Sequence, residues 1–318
     1  MQASREKGVQ YRYFRRLRMD VLRDWQLYLF LLIPLVYIII FAYIPMGGVQ
    51  IAFRKFSARK GVWGSPWVGL ENFRKFFASY QFRRVLVNTI ILSSYSILAG
   101  FPVPILFALM MNSLTNERFK KLSQTIVTMP HFISIVVLVG MLLQIFNSRT
   151  GLYGSITLAL TGAYPNDLFA KESAFRTMFI WSGVWQSFGW NSIIYIAALS
   201  GVSPSLHEAA QIDGASRFQR VLHIDLPCIV PTMTIMFILR MGSVMSVGFE
   251  KVFLMQNSLN QNVSEVISTY VYKVGFEAGG VTDFSYSTAI GLFNSVINMI
   301  MVVTVNKIAG RIGETSLW

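Results

Sequence analysis

Six runs of this sequence are long, apolar and nearly free of charge, and each must find surroundings without water. Trp25 to Phe53, Val85 to Asn116, Thr177 to Leu206 and Phe284 to Asn306 carry no charged residue. Leu122 to Ser148 carries only His131, and Pro227 to Phe249 carries one charge, Arg240. About 20 predominantly apolar residues cross the hydrocarbon core of a bilayer. In lipid the backbone must satisfy its own polar groups, so each run is expected as a helix. Charged residues make up 14% of the chain, against roughly 25% in soluble domains. The expected fold is an all-α integral membrane protein with six transmembrane helices.

The expected organisation is a basic N-terminal segment, 1–24, then a first transmembrane helix with its outer loop, 25–84. A five-helix core follows over 85–307, with a hydrophilic loop at 201–226, and a tail over 308–318. Basic residues from Arg5 to Arg23 precede the first run, as in a signal peptide. That run is too long for a signal core and no small-residue cleavage site follows it, so it is read as a retained span. Pro34, Pro102, Pro104 and Pro130 lie in or beside spans, where neighbouring helices tolerate kinks. Leu70 to Phe77 reads as an amphipathic helix at the membrane interface with its Phe residues inward.

The formal charge is +13. Its cations sit in short segments beside apolar runs, so anionic lipid headgroups account for them and nucleic acid does not. Cys228 is the single cysteine, which excludes a disulfide framework. His131, His207 and His223 lack ligand spacing. With the N-terminus inside, inner segments hold 14 Lys and Arg and outer ones 13. The strongly basic N-terminal flank favours that orientation, giving a multi-pass membrane protein with both termini cytoplasmic.

The loop between the fourth and fifth runs carries the sharpest pattern: Glu208-Ala209-Ala210, then Gly214, then Ile224, Leu226 and Pro227. Ser205 and Glu208 are spaced as a capping box. Ser203-Pro204 offers a start one turn earlier. Glu208 to Asp213 is expected as a short helix ended by Gly214. Ala215 to His223 is expected as a second short helix, with Pro227 opening the fifth span. The two alanines leave a shallow surface for a partner.

These residues resemble the EAA loop of the membrane subunits of binding-protein-dependent ABC importers. The resemblance implies a type I importer permease (MetI-like) core with cytoplasmic EAA coupling helices. It implies that Glu208, Ala209, Ala210, Asp213, Gly214, Ile224, Leu226 and Pro227 form the coupling site for an ATPase, with Glu208 facing a basic residue there. Gly69-Leu70-Glu71-Asn72-Phe73, Asn88-Thr89 and Gly248-Phe249-Glu250-Lys251-Val252-Phe253 resemble the carbohydrate-uptake branch. Thr269-Tyr270-Val271-Tyr272, Ala289-Ile290-Gly291-Leu292-Phe293 and Ser316-Leu317-Trp318 resemble its oligosaccharide and polysaccharide subgroup, which includes permeases for alginate and pectin fragments. The implied partners are a second homologous permease in a heterodimer, two ATPase subunits, an extracytoplasmic solute-binding protein and an oligosaccharide substrate.

The sequence has no GxxxxGK[ST], GxSxG or HExxH. The chain is therefore expected to be non-catalytic and to hold no cofactor, with ATP and Mg on the partner ATPase. Candidate residues for the substrate path are Trp185, Trp190, Asn191, Arg240, Glu250, Asn294 and Asn298. Polar groups within spans are costly and usually face a cavity or a partner. Ser287, Gly291, Asn294 and Asn298 share one helical face, suited to pore lining or to helix–helix hydrogen bonds. Trp185 and Trp190 suit sugar stacking or interfacial anchoring. Arg240 reads as a charge well inside a span, paired with a carboxylate or facing an acidic sugar. A non-sugar cargo (amino acid, peptide or phosphate) fits the loop equally. A secondary transporter would need inverted repeats, which are not visible.

Overall fold

The computed structural model describes residues 19, 23–277, 282–312 and 316–318. The basic segment 1–24 lies almost wholly outside the described residues. Among those described there is no β-strand, only two isolated bridges, Arg54 with Trp67 and Ser57 with Gly61. The chain divides into Met1–Gly69 and Leu70–Trp318.

The first unit holds α1, Trp25–Phe53. Its regular part, Trp25–Ile38, contains Pro34 and buries none of its side chains. A π-helical turn over Ile39–Tyr43 comes just before Pro45.

The second unit begins with α2, Glu71–Ala78. Its Phe76 is fully buried among Phe82, Tyr286 and Phe293, so this helix packs its inward face on protein. Then come α3, Tyr80–Asn112, and the pair α4, Glu117–Phe132, and α5, Ile135–Ile145. After α6, Leu152–Thr161, runs α7, Glu172–Leu199. The loop helix α8 is Pro204–Ile212, and α9 is Arg217–Met241. Two short helices, α10 at Phe249–Met255 and α11 at Ile267–Tyr272, precede α12, Phe284–Ile312.

Four of these helices, α1, α3, α9 and α12, are long and apolar enough to cross a bilayer, or five if α4 and α5 count as one span. The third expected span is broken: α4 and α5 bend by 96°. Pro130 lies in a 3-10 turn at the end of α4, and Ser134 caps α5 by accepting the Val137 N–H. The break frees the Ile133 carbonyl, and Gln186 Nε2 on α7 donates to it at 2.7 Å. A neighbouring helix thus satisfies a carbonyl whose helical donor, the Val137 N–H, is taken by Ser134.

The fourth expected span is α7, 28 residues long but not among the apolar helices, because Ser182, Gln186, Ser187, Asn191 and Ser192 interrupt it. None of those side chains is exposed. Ser192 is fully buried, and α7 packs along α3, α4 and α9. Gly189 permits the contact with α4, since a Cβ there would stand 2.1 Å from the Val127 carbonyl oxygen. Small residues of this kind let helix backbones approach closely in membranes. The main core, including Leu92, Phe175, Phe179, Val184, Val252 and Met255, gathers around α7.

Candidate functional site

The hydrophilic loop folds by local rules. Ser203 is extended and Pro204 occupies the first helical turn of α8, where a missing N–H costs nothing. The Ser205–Glu208 capping box does not form. The helix starts two residues earlier, with Ser203 at its N-cap, and Ser205 Oγ lies 2.8 Å from Ser203 Oγ instead. At the other end Gly214 has φ 81°, in the left-handed region. The Ala215 N–H bonds to Ala210 O at 2.8 Å and the Gly214 N–H to Gln211 O at 3.1 Å. This pair of bonds is a Schellman motif, which closes the orphan carbonyls of a helix end and usually takes glycine. The second alanine of the triplet and the glycine are therefore two ends of one turn.

The second short helix does not stand alone. Ser216 caps it in a capping box with Gln219, and from Arg217 the helix runs without interruption to Met241. Pro227 lies inside this helix and does not open a separate span. Val221–Asp225 forms a π-helical turn just before it, which accommodates a residue that cannot donate and would otherwise crowd the preceding turn.

Glu208, Ala209, Asp213 and Gly214 are exposed and Ala210 is half-buried. Ile212 is 86% exposed and Phe218 70%. Ile224 is half-buried, Pro227 exposed, and Leu226 packs against a cluster that includes Ile105, Leu109 and Ile229. A buried carboxylate anchors the loop: Asp225 Oδ1 accepts from Asn112 Nδ2 at 3.1 Å and lies 3.2 Å from His207 Nε2. This tie joins α8, α9 and the end of α3. Sequence reasoning missed it, since Asn112 and Asp225 are far apart in the chain.

A second site is a cavity of about 250 Å³ between α3, α7, α9 and the segment that follows α9. Ser93, Ser96, Ser187, Asn191, Arg240, Ser246 and Lys251 contribute its polar wall. Arg240 is not well inside a span. It stands in the last turn of α9, is exposed, and donates from Nη2 to Ser96 Oγ at 3.0 Å. Lys251, on α10 outside the long helices, is buried. Its Nζ donates to the Phe179 carbonyl at 2.8 Å and lies 5.0 Å from the centre of the Phe179 ring. Burial lowers its pKa to about 8, because loss of water disfavours the ammonium.

Of the residues expected along a substrate path, Asn191 and Arg240 meet in this cavity. Trp185 and Trp190 are not on its wall. Trp190 stacks on His131, 4.5 Å between ring centres with the planes 6° apart. Glu250 is exposed and turned away from the lining. Asn298 Oδ1 accepts the Met245 N–H at 2.9 Å and its Nδ2 donates to Ser246 Oγ at 3.3 Å, so it holds the non-helical backbone after α9. Asn294 Oδ1 is buried without a hydrogen-bond partner. Lys251 was missed as a cavity residue. The one signal for it was a lysine shortly after an apolar run.

Comparison with known proteins bears on the whole chain. Residues 100–313 match the family model described as binding-protein-dependent transport system inner membrane component. Protein LplB of Bacillus subtilis is 40% identical over 93% of this chain and 92% of its own length. The polygalacturonan/rhamnogalacturonan transport system permease protein YteP of the same organism is 37% identical over 96% and 94%. A chain in the solved structure of a bacterial alginate ABC transporter, in complex with an alginate pentasaccharide-bound periplasmic protein, superposes with a TM-score of 0.85 at 37% identity, covering 95% of this chain and 100% of that one. A shared fold, near-complete coverage and a matching family model agree: the chain belongs to the binding-protein-dependent transport system inner membrane components, the permeases of ABC importers.

Proposed function

We propose that this chain forms half of the translocation pore of an ATP-driven importer for oligosaccharides or polysaccharide fragments. An extracytoplasmic solute-binding protein delivers the cargo, a second related permease completes the pore as a heterodimer, and two ATPase subunits hold and hydrolyse ATP. The chain itself is non-catalytic. Six spans, with α7 and the α4–α5 pair counted among them, put both termini and the loop 203–226 in the cytoplasm. Glu208, Ala209, Ala210, Asp213 and Gly214 face the ATPase, while Ile224, Leu226 and Pro227 lie in α9, where Leu226 packs on the cluster with Ile105 and Leu109 of α3. The cargo class is supported by the relatives that transport polygalacturonan and alginate.

One observation carries the coupling role. A short, rigidly closed helix presents a shallow Ala surface beside Ile212, a large apolar side chain that is 86% exposed. Exposed apolar surface rimmed by polar residues marks a protein contact. The test is a single cysteine at Gln211 in a background where the exposed Cys228 is replaced by serine. It should crosslink to a co-expressed ATPase. Labelling of that cysteine from outside intact cells by a membrane-impermeant reagent would place the loop on the wrong side and end the proposal.

A further inference from the structure

The cavity holds two cations and no acid. Arg240 and Lys251 both line it, and no Asp or Glu does. Among the described residues neither has a carboxylate within 4.0 Å. Lys251 is 6% exposed, and its ammonium has three donors. One goes to the Phe179 carbonyl. Arg240 spends one guanidinium N–H on Ser96. Donor capacity is left over on both, and it converges on a water-accessible hollow.

Space is kept clear at the Lys251 head group, where a Cβ on Gly183 would stand 3.1 Å from Nζ; at Arg240 a Cβ on Gly100 would make only an ordinary contact, 3.8 Å from Nη2. Around them lie Ser187 and Asn191, which suit sugar hydroxyls. Two like charges sharing a partly desolvated site repel, and burial disfavours the ammonium further. An anion placed between them offsets both costs and gains charge-assisted hydrogen bonds. The half-buried Arg84 is treated differently: it meets the buried Glu265, which Lys273 also approaches at 3.8 Å.

We propose that Lys251 and Arg240 together form a carboxylate subsite in the substrate path, which makes the cargo an acidic, uronate-containing oligosaccharide. This rests on the permease reading above and narrows it. The hollow, about 250 Å³ in this half of the pore, is below the range of drug-sized ligand pockets, about 300–1,000 Å³. It therefore suits one unit of an oligomer at a time.

The test uses the purified complex of both permeases and the ATPases, without the binding protein, so that selectivity belongs to the pore. Equilibrium binding is measured for trigalacturonate and for its trimethyl ester, which lacks the charge. The acid should bind at least about tenfold more tightly, as expected for one hydrogen bond to a charged group. Lys251→Gln and Arg240→Gln should each erase that preference, and Lys251→Arg should keep it. Arg240 is exposed, so its variant reports even if Lys251→Gln assembles poorly. Equal binding of acid and ester by the unmodified complex, undetectable binding of the acid, or an acid preference that survives both Gln changes overturns the subsite. Uptake of a neutral oligosaccharide by the complete transporter in that event leaves the permease reading intact. Uptake of no oligosaccharide at all removes both.

Discussion

Gly214 allows a sharp test, because its effect separates into one physical cause. Its φ is 81°, and no atom lies within 4 Å of where a Cβ would stand. A side chain there meets no clash, so the cost of substitution is conformational. For an L-residue in the left-handed region that cost is about 1–2 kcal/mol. Asn tolerates the region better than Ala, and a β-branched residue tolerates it worse. A shift of that size changes the population of the closed turn by a factor of about 5–30. The bonds at risk are those from Ala215 to Ala210 and from Gly214 to Gln211. Both close the end of α8, and neither holds the core. The series Gly214→Asn, Gly214→Ala, Gly214→Val should therefore leave complex abundance in the membrane unchanged. Stimulation of ATP hydrolysis by the loaded binding protein, measured in proteoliposomes, should fall in that order. Full stimulation in Gly214→Val would refute the strain argument. Equal damage from Asn and Ala would also refute it, since strain alone ranks them apart.

Two further outcomes follow from the buried groups. Binding of trigalacturonate should weaken as pH rises through about 8, because Lys251 is charged below its pKa and loses its proton above it. Arg240 is the other cation in the cavity; α5 brings no titratable side chain to α10, α11 offers only Tyr270 and Tyr272, and on α7 Glu172 bonds Asn262 and Arg176 bonds Asn88. The decline should therefore be partial, and it should vanish in Lys251→Arg; a pH-independent affinity in the unmodified complex would refute it. Asp225→Ala strips the buried acceptor from Asn112 and His207, which should destabilise the complex by about 1–3 kcal/mol, read as a lower melting temperature with weaker ATPase stimulation. An unchanged melt would show that the tie is dispensable.

What the sequence made legible was local or periodic. Runs with no charge, or with Arg240 alone, marked α1, α3, α9 and α12, since lipid punishes charge wherever a helix lies. Ser203-Pro204 and Gly214 bounded α8 through backbone rules that need no tertiary partner. The limits of α9 were misjudged because Pro227 reads as a helix start, and the π-helical turn that lets the helix continue through it leaves no compositional mark. The α4–α5 break depended on Gln186, a donor more than fifty residues away. α7 was read as a simple apolar span, yet its polar side chains are affordable only because α3, α4 and α9 surround it. Lys251 and the Asp225 tie were hidden for the same reason: each is defined by partners that the fold alone brings near.

A single helix connects the two candidate sites. α9 begins at the cap formed by Ser216, passes Asp225, and ends at Met241, one residue beyond Arg240. At 1.5 Å per residue its 25 residues span about 37 Å, comparable to the thickness of a bilayer. A displacement of α8 would enter α9 where His207 meets Asp225, and Pro227 and Pro231 lie between that point and Arg240, where a helix can bend. Beyond Met241 the backbone is no longer helical, and Asn298 of α12 holds it through Met245 and Ser246. Lys251 follows on α10, fixed to α7 through the Phe179 carbonyl. The two cations thus ride on different supports, Arg240 on the helix that starts at the loop and Lys251 on the assembly around α7. On the reading proposed above, a movement imposed on the loop would change their separation, and with it the hold on a carboxylate between them.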